Sequence, residues 1–314
     1  MSKQRYTSVP LRSRSRLFFT VTTAFCLALL SAVQSSGQAP AKEWDSTYGG
    51  NIYDHMLGIY PVPAGGYILW GYSYSGATGN KTAPPHDVTT STSDFWIVKI
   101  DNTGARQWDV ALGGTGNEED GDVRPTKDGG YIAAIATFSG QNGDITDPPI
   151  GSSDFWLVKL SANGVIEWDK RLGTACSDMC QAVRQTKDGG YIIGGYTTCG
   201  WGDDKESDAR GSEDYWIIKT DSLGNKQWDT AYGGSDVDQL KTLEQTSDGG
   251  YILGGLSRSP ASGDKSQSAY QDFFLSATAD YWVIKIDSNR HIQWEKTLGG
   301  DGEDALASVQ QTKD

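Results

Sequence analysis

Short apolar runs, separated by glycine- and aspartate-rich punctuation, recur along this chain from Trp44 to its last residue, Asp314. The most regular punctuation is Gln185-Thr186-Lys187-Asp188-Gly189-Gly190, which leads into Tyr191-Ile192. It returns before Tyr251 and before Tyr131, and in a weaker form as Val62-Pro63-Ala64-Gly65-Gly66 before Tyr67. A fifth copy begins at Gln311-Thr312-Lys313-Asp314. Asp-Gly between two β-favouring runs predicts a hairpin, because the turn needs positive φ and glycine adopts it without steric cost. In the third unit the runs predict four strands: a near residues 181–186, b at 190–196, c at 214–220 and d around 226–232. Strand c of the first unit, Phe95-Trp96-Ile97-Val98-Lys99-Ile100, is apolar on both alternating faces, as expected of a strand buried between two layers.

Two tryptophan series set the period. Trp followed by an acid falls at Trp44, Trp108, Trp168, Trp228 and Trp294, with spacings of 64, 60, 60 and 66. Trp behind Asp-Phe or Asp-Tyr falls at Trp96, Trp156, Trp216 and Trp282. Self-similarity at this period marks an array of one supersecondary unit, and four-stranded meanders repeated about an axis make a β-propeller. The expected fold is therefore an all-β propeller over residues 42–314, with four complete blades and partial ones. A strand d at Trp44 opens it and a strand a at Asp314 ends it, which predicts an open or strained arc. All but Trp44 in these two series are expected as blade-to-blade core, each worth about 4–6 kcal/mol of gross burial. Lys99, Lys159, Lys219 and Lys285 recur in apolar surroundings and are expected to pair with the acid after the strand d Trp: Asp109, Asp169, Asp229 and Glu295.

Composition agrees, with 39 Gly, 11 Trp and 15 Tyr against 3 Met, a profile of strands and tight turns. Residues 1–41 read as an export signal: basic residues up to Arg16, an apolar run from Leu17 to Val33, then small and polar residues, with a cut between about 33 and 41. An uncleaved signal would give the one membrane contact expected. The leader holds five of the 27 basic residues and no acid, so its removal leaves 22 basic against 40 acidic residues, a net of −18. Such a surface repels phosphate backbones and excludes nucleic acid as a partner.

Length varies in one place. From the hairpin Tyr to the strand c Asp the spacing is 27, 23, 23 and 29, so insertions enter between strands b and c. Such surface loops are where a rigid scaffold carries function, and Asp144, Asp147, Trp201, Asp203, Asp204 and Tyr270 are the candidate binding residues there. In an up-down meander the d-to-a connectors emerge on the same face. They carry Asp54, Glu118, Asp178, Asp238 and Asp304, a ring of acids that suggests calcium, which takes several oxygen ligands. No loop has the full Asp-x-Asp-x-Asp-Gly spacing, and acids that cap turns are the alternative. Cys176, Cys180 and Cys199 all fall in the third unit, at its loop face, and one disulfide is expected, from Cys176 or Cys180 to Cys199. The three histidines are scattered and mark no catalytic group.

Two enzyme likenesses speak to fold rather than chemistry. Thr126-x-Asp128-x-Gly130 resembles half of a sialidase Asp-box, and Asp221-Ser222-Leu223-Gly224-x-x-x-Trp228 resembles a blade segment of quinoprotein dehydrogenases. The whole unit, from Trp-Asp through Gln-Thr-x-Asp-Gly-Gly-Tyr-Ile to Asp-(Phe/Tyr)-Trp, resembles the propeller-like repeats of secreted Bacteroidota proteins, over Trp44 to Asp314. That resemblance implies export to the surface or medium, often with a type IX secretion sorting domain, which is absent here. The expected function is a secreted or surface-exposed module that binds glycan or another surface protein. The alternatives are the scaffold of an extracellular glycoside hydrolase or quinone-dependent oxidoreductase, and a structural spacer. No catalytic constellation and no certain cofactor is read.

Overall fold

The computed structural model describes residues 41–270 and 278–313. The segment read as an export signal thus lies outside the described residues, apart from Ala41. The chain forms two compact units, Met1–Asp45 and Ser46–Asp314. Residues 41–45 of the first carry no regular secondary structure. The described residues of the second form sixteen strands, and no described residue is helical.

The strands form four antiparallel meanders, one per repeat. Sheet 1 comprises β1 (Asp54–Pro61), β2 (Tyr67–Ser73), β3 (Asp94–Ile100) and β4 (Arg106–Leu112). Sheet 2 comprises β5 (Glu118–Pro125), β6 (Tyr131–Thr137), β7 (Asp154–Leu160) and β8 (Ile166–Leu172). Sheet 3 comprises β9 (Asp178–Gln185), β10 (Tyr191–Thr197), β11 (Asp214–Thr220) and β12 (Lys226–Tyr232). Sheet 4 comprises β13 (Asp238–Gln245), β14 (Tyr251–Ser257), β15 (Asp280–Ile286) and β16 (Ile292–Leu298). Strands a to d were thus legible to within a few residues. The partial strands expected at the ends are not formed, since 41–53 and 299–313 carry no strand. A strand needs a continuous ladder of backbone partners, and these segments make isolated bonds instead, such as those of the Asn80 N–H to the Gly49 carbonyl and the Asp304 N–H to the Ala279 carbonyl.

The Asp-Gly punctuation is a five-residue loop rather than a two-residue turn. Between β5 and β6, Gly129 takes φ 87° and the Asp128 carboxylate accepts from Thr126 Oγ1 at 2.5 Å and from the Gly130 N–H at 3.0 Å. The loop also measures the step between sheets. The Lys127 N–H donates to Gln185 Oε1 at 2.8 Å, the Lys187 N–H to Gln245 Oε1 at 2.9 Å and the Ser247 N–H to Gln311 Oε1 at 2.7 Å.

Each core lies between two sheets. Ile68, Phe95 and Ile97 of sheet 1 meet Tyr131, Trp156 and Val158 of sheet 2, and the same layers recur between sheets 2 and 3 and between 3 and 4. Trp156, Trp216 and Trp282 are fully buried there. Trp108, Trp168 and Trp228 pack on Tyr131, Tyr191 and Tyr251 of the following sheet, with ring centroids 5.5, 5.9 and 6.0 Å apart. Trp294, on the outer side of sheet 4, is 45% exposed.

The lysine expectation is corrected. The acid after the strand d Trp instead accepts from the strand c indole: Trp96 to Asp109, Trp156 to Asp169, Trp216 to Asp229 and Trp282 to Glu295, at 2.8–3.0 Å. Lys159, Lys219 and Lys285 reach the other way, to Asp128, Asp188 and Asp248 of the hairpin loop at 2.9–3.0 Å. The strand pleat decides this. Indole and lysine are three residues apart on strand c, so they stand on opposite faces and cannot share one acid. In sheet 1, Pro63-Ala64 supply no such acid, and Lys99 Nζ donates to the carbonyls of Gly65 and Ile100.

Candidate functional site

At one end of each sheet, the connector into its first strand meets the loop between its second and third strands. Asn80, Asp144, Asp204 and Asp264 of those loops accept from the N–H groups of Gly49, Gly113, Gly173 and Gly233 of the connectors. The acids proposed for calcium do the same from the strand side. Gly50 donates to Asp54, Gly114 to Glu118, Thr174 to Asp178, Gly234 to Asp238 and Gly300 to Asp304, at 2.6–3.0 Å. Four are spread one to a sheet, Asp304 lies beyond sheet 4, and each caps its own connector, so the structure does not bring them together. Among the described residues no three His, Cys, Asp or Glu side chains could hold a metal ion.

Glu118, Asp178 and Asp304 also have a carboxylate of the preceding sheet nearby, Asp94, Asp154 and Asp280. Asp94 and Glu118 both crowd Gly113, where a Cβ would lie 2.6 Å from Asp94 Oδ1. Burial pushes the Glu118 carboxyl up to about 7, with Asp94 adding to the rise. Burial likewise raises Asp178 and Asp238 to about 6. All three are fully buried and present no acid to a substrate.

Each sheet also buries one cation at this end. Lys81, Lys205 and Lys265 hold the same repeat position, where sheet 2 has Ile145. Sheet 2 places Arg171 instead, at the position of Ala111, Ala231 and Thr297. Lys81 Nζ donates to the Ser75 carbonyl at 2.6 Å, and Arg171 Nη2 to the equivalent Ser139 carbonyl at 2.9 Å. Between sheets 1 and 2 the cation thus changes position in the sequence and keeps an equivalent carbonyl partner, whereas Lys205 Nζ donates to the Ser207 carbonyl and Lys265 Nζ to Thr297 Oγ1.

Other loop residues stitch neighbouring sheets. His86 Nδ1 lies 3.3 Å from Asp94 and Nε2 lies 3.1 Å from Asp144, and these carboxylates raise the imidazole to about 10. Arg210 Nε pairs with Asp264 at 2.7 Å across the junction of sheets 3 and 4. Asp147 accepts from the Arg171 N–H at 3.1 Å. Asp203 stands where the other units have Gly79, Gly143 and Gly263, and shares their left-handed φ at 50°. Of the candidate binding residues, Trp201, Asp203 and Tyr270 are exposed, the two aromatics at 74% and 56%.

The disulfide joins Cys176 to Cys199. It replaces a hydrogen bond, since Ile52, Gly116 and Asp236 donate their N–H at the Cys176 position to Ser75, Ser139 and Ser259 at the Cys199 position. Cys180 is not at the loop face. It lies in β9, fully buried against sheet 2, because the second residue after the capping acid points into the core. Reduction of Cys176–Cys199, which closes a 23-residue separation, is expected to cost about 3 kcal/mol. Urea unfolding with and without a thiol reductant measures it.

A second feature lies along the first strands. A cavity of about 470 Å³ is lined by residues of β1, β5, β9 and β13 and by 305–308. Each of these strands carries a β-bulge, leaving Leu57, Asp120, Gln181 and Lys241 without a partner in the ladder; in β5 it falls one residue earlier in the repeat than in the other three. Arg184 bridges Asp122 at 2.5 Å and Glu244 at 2.6 Å, while Arg124 pairs with Asp122 at 2.8 Å. Arg124 also lies over the Tyr60 and Trp70 rings at 4.6 and 5.1 Å. Lys241, half-buried over Tyr196 at 5.2 Å, is held below the usual lysine range by burial.

No protein-family model matches the chain. Over 156 residues it is 27% identical to the regulatory protein FlaEY of Caulobacter vibrioides, a stretch that covers 47% of this chain and 16% of that protein. The chain therefore spans a small part of the relative's length.

Sequence reading passed over the bulge residues because Leu, Asp, Gln and Lys look like noise in an otherwise regular repeat. For Leu57, Gln181 and Lys241 the signal was that irregularity at one repeat position; Asp120 lies one residue off it and gave none. The exchange of Lys for Arg171 was readable as two departures in a single unit, at Ile145 and Arg171.

Proposed function

We propose that the four sheets are blades of a β-propeller, and that the protein is an exported module that binds glycan or another surface protein through its loop end. The observation that carries the propeller is the shared cavity, lined by the first strand of every sheet and by 305–308. Inner strands around a common axis are what a propeller requires. The loop end is held rigid by buried caps, ion pairs and the disulfide, while Trp201 and Tyr270 stand exposed on it. Rigid exposed aromatics on a polar platform suit the apolar face of a sugar ring or a protein contact. Export rests on the basic-apolar-polar order of residues 1–41.

Binding of the purified chain to an array of bacterial and host polysaccharides tests this reading. Trp201→Ala and Tyr270→Ala are each expected to weaken binding at least about tenfold, with unfolding midpoints unchanged. Binding that survives both substitutions would place the contact elsewhere.

A further inference from the structure

Each first strand brings one bulged residue to the cavity, and the chemistry of that residue differs from sheet to sheet. A bulge inserts one residue and re-aims its side chain, and Leu57, Asp120, Gln181 and Lys241 all line the cavity. Nearby positions that serve packing keep their chemistry, as Ile59, Val123, Val183 and Leu243 do. Asp120 even takes φ 43°, a conformation that Asp and Asn tolerate and most residues avoid. Varied side chains collected around one cavity are the arrangement of a recognition site.

The charges of the wall sort into two groups. Arg124, Asp122, Arg184 and Glu244 neutralise one another through the ion pairs described above. Asp120 and Lys241 remain, on the strands either side of Gln181, whose Nε2 donates to Asp120 Oδ2 at 3.2 Å. No hydrogen bond or ion pair ties the Lys241 ammonium to a carboxylate among the described residues, although Asp120 and Glu213 attract it. The wall contributed by β1 and by 305–307 is apolar, through Leu57, Ile59 and Leu306.

We propose that this cavity binds a small zwitterion with an apolar side chain, of the chemical class of an α-amino acid. Its ammonium faces Asp120, its carboxylate faces Lys241, and its side chain lies against Leu57 and Leu306. Gln181 offers its amide carbonyl to the ammonium. The volume lies within the range of small-molecule sites and leaves room for accompanying water. This site is separate from the loop end and does not depend on binding there.

Calorimetric titration of the purified chain with L-leucine, L-methionine and L-phenylalanine tests it. At least one is expected to bind, and about tenfold more tightly than its amide or its deamino acid, each of which lacks one charge. Asp120→Asn, which suits the left-handed φ, and Lys241→Gln should each weaken binding about tenfold or more. Trp201→Ala should leave it unchanged. Melting curves of the variants show that the fold is intact. No binding by any of the three at about 10 mM overturns the proposal. So does affinity unchanged in both variants, or a deamino acid that binds as well as its parent.

Discussion

Replacing Arg171 by alanine is expected to destabilise the protein by about 3–5 kcal/mol, because it removes one partner of a buried ion pair and leaves the other uncompensated. Arg171 Nη1 lies 3.4 Å from Asp154 and Nη2 donates to the Ser139 and Gly140 carbonyls, with both charged side chains almost fully buried. Burial raises the Asp154 carboxyl, and Arg171 is among the groups that hold it down. The other sheets supply the control. Adding Ile145→Lys to Arg171→Ala recreates the Lys81/Ala111 and Lys205/Ala231 pairs, and should recover most of the loss. Ile145→Lys alone should destabilise, because two cations would then share one buried place. A double-mutant cycle by urea unfolding measures all three. If Ile145→Lys fails to rescue Arg171→Ala, the two positions do not share one buried cation.

The second expected result is a stability maximum near about pH 5, falling toward pH 8 by a few kcal/mol. A carboxyl whose pKa is raised by folding binds more protons in the folded state. Its contribution is fully present below the unfolded value, about 4, and is lost as pH rises through the folded value. Glu118, at about 7, and Asp178 and Asp238, at about 6, place that loss between pH 4 and 7. His86 acts in the same direction. Its pKa is raised to about 10, so its contribution is present below about 6.5 and lost as pH rises toward 10. On the acid side Asp128 works oppositely. Hydrogen bonds from Thr126 and Lys159 outweigh burial and lower it to about 2, so its contribution is lost as pH falls from about 4 toward 2. Urea midpoints from pH 4 to pH 9 give the profile. Glu118→Gln should flatten the slope between pH 5 and 8, and an unaltered slope would remove Glu118 from the account.

The sequence by itself determined the repeat, the four strands of each unit and the loops where length varies. Those features are written locally: alternation and run length predict strands, and glycine at a required positive φ predicts a loop. The strand c and strand d tryptophans declared themselves through spacing alone. Sequence also singled out Cys199 as half of a disulfide, because three clustered cysteines in a chain read as exported leave few choices.

The tertiary structure decided which side chains meet. Lys159 and Asp169 recur together in sequence, yet the pleat turns the lysine toward Asp128 and gives Asp169 to the Trp156 indole. The acids from Asp54 to Asp304 recur as calcium ligands would, yet each is closed by an N–H of its own connector and most face a carboxylate of the neighbouring sheet. Whether Cys176 or Cys180 pairs with Cys199 turned on which of two residues four apart faces the core. The cavity was invisible for the same reason. Leu57, Asp120, Gln181 and Lys241 lie about 60 residues apart, and only the stacking of successive first strands collects them. Strand and loop are properties of a segment, whereas a site is a property of the distances between segments, and those are set by packing that no single repeat contains.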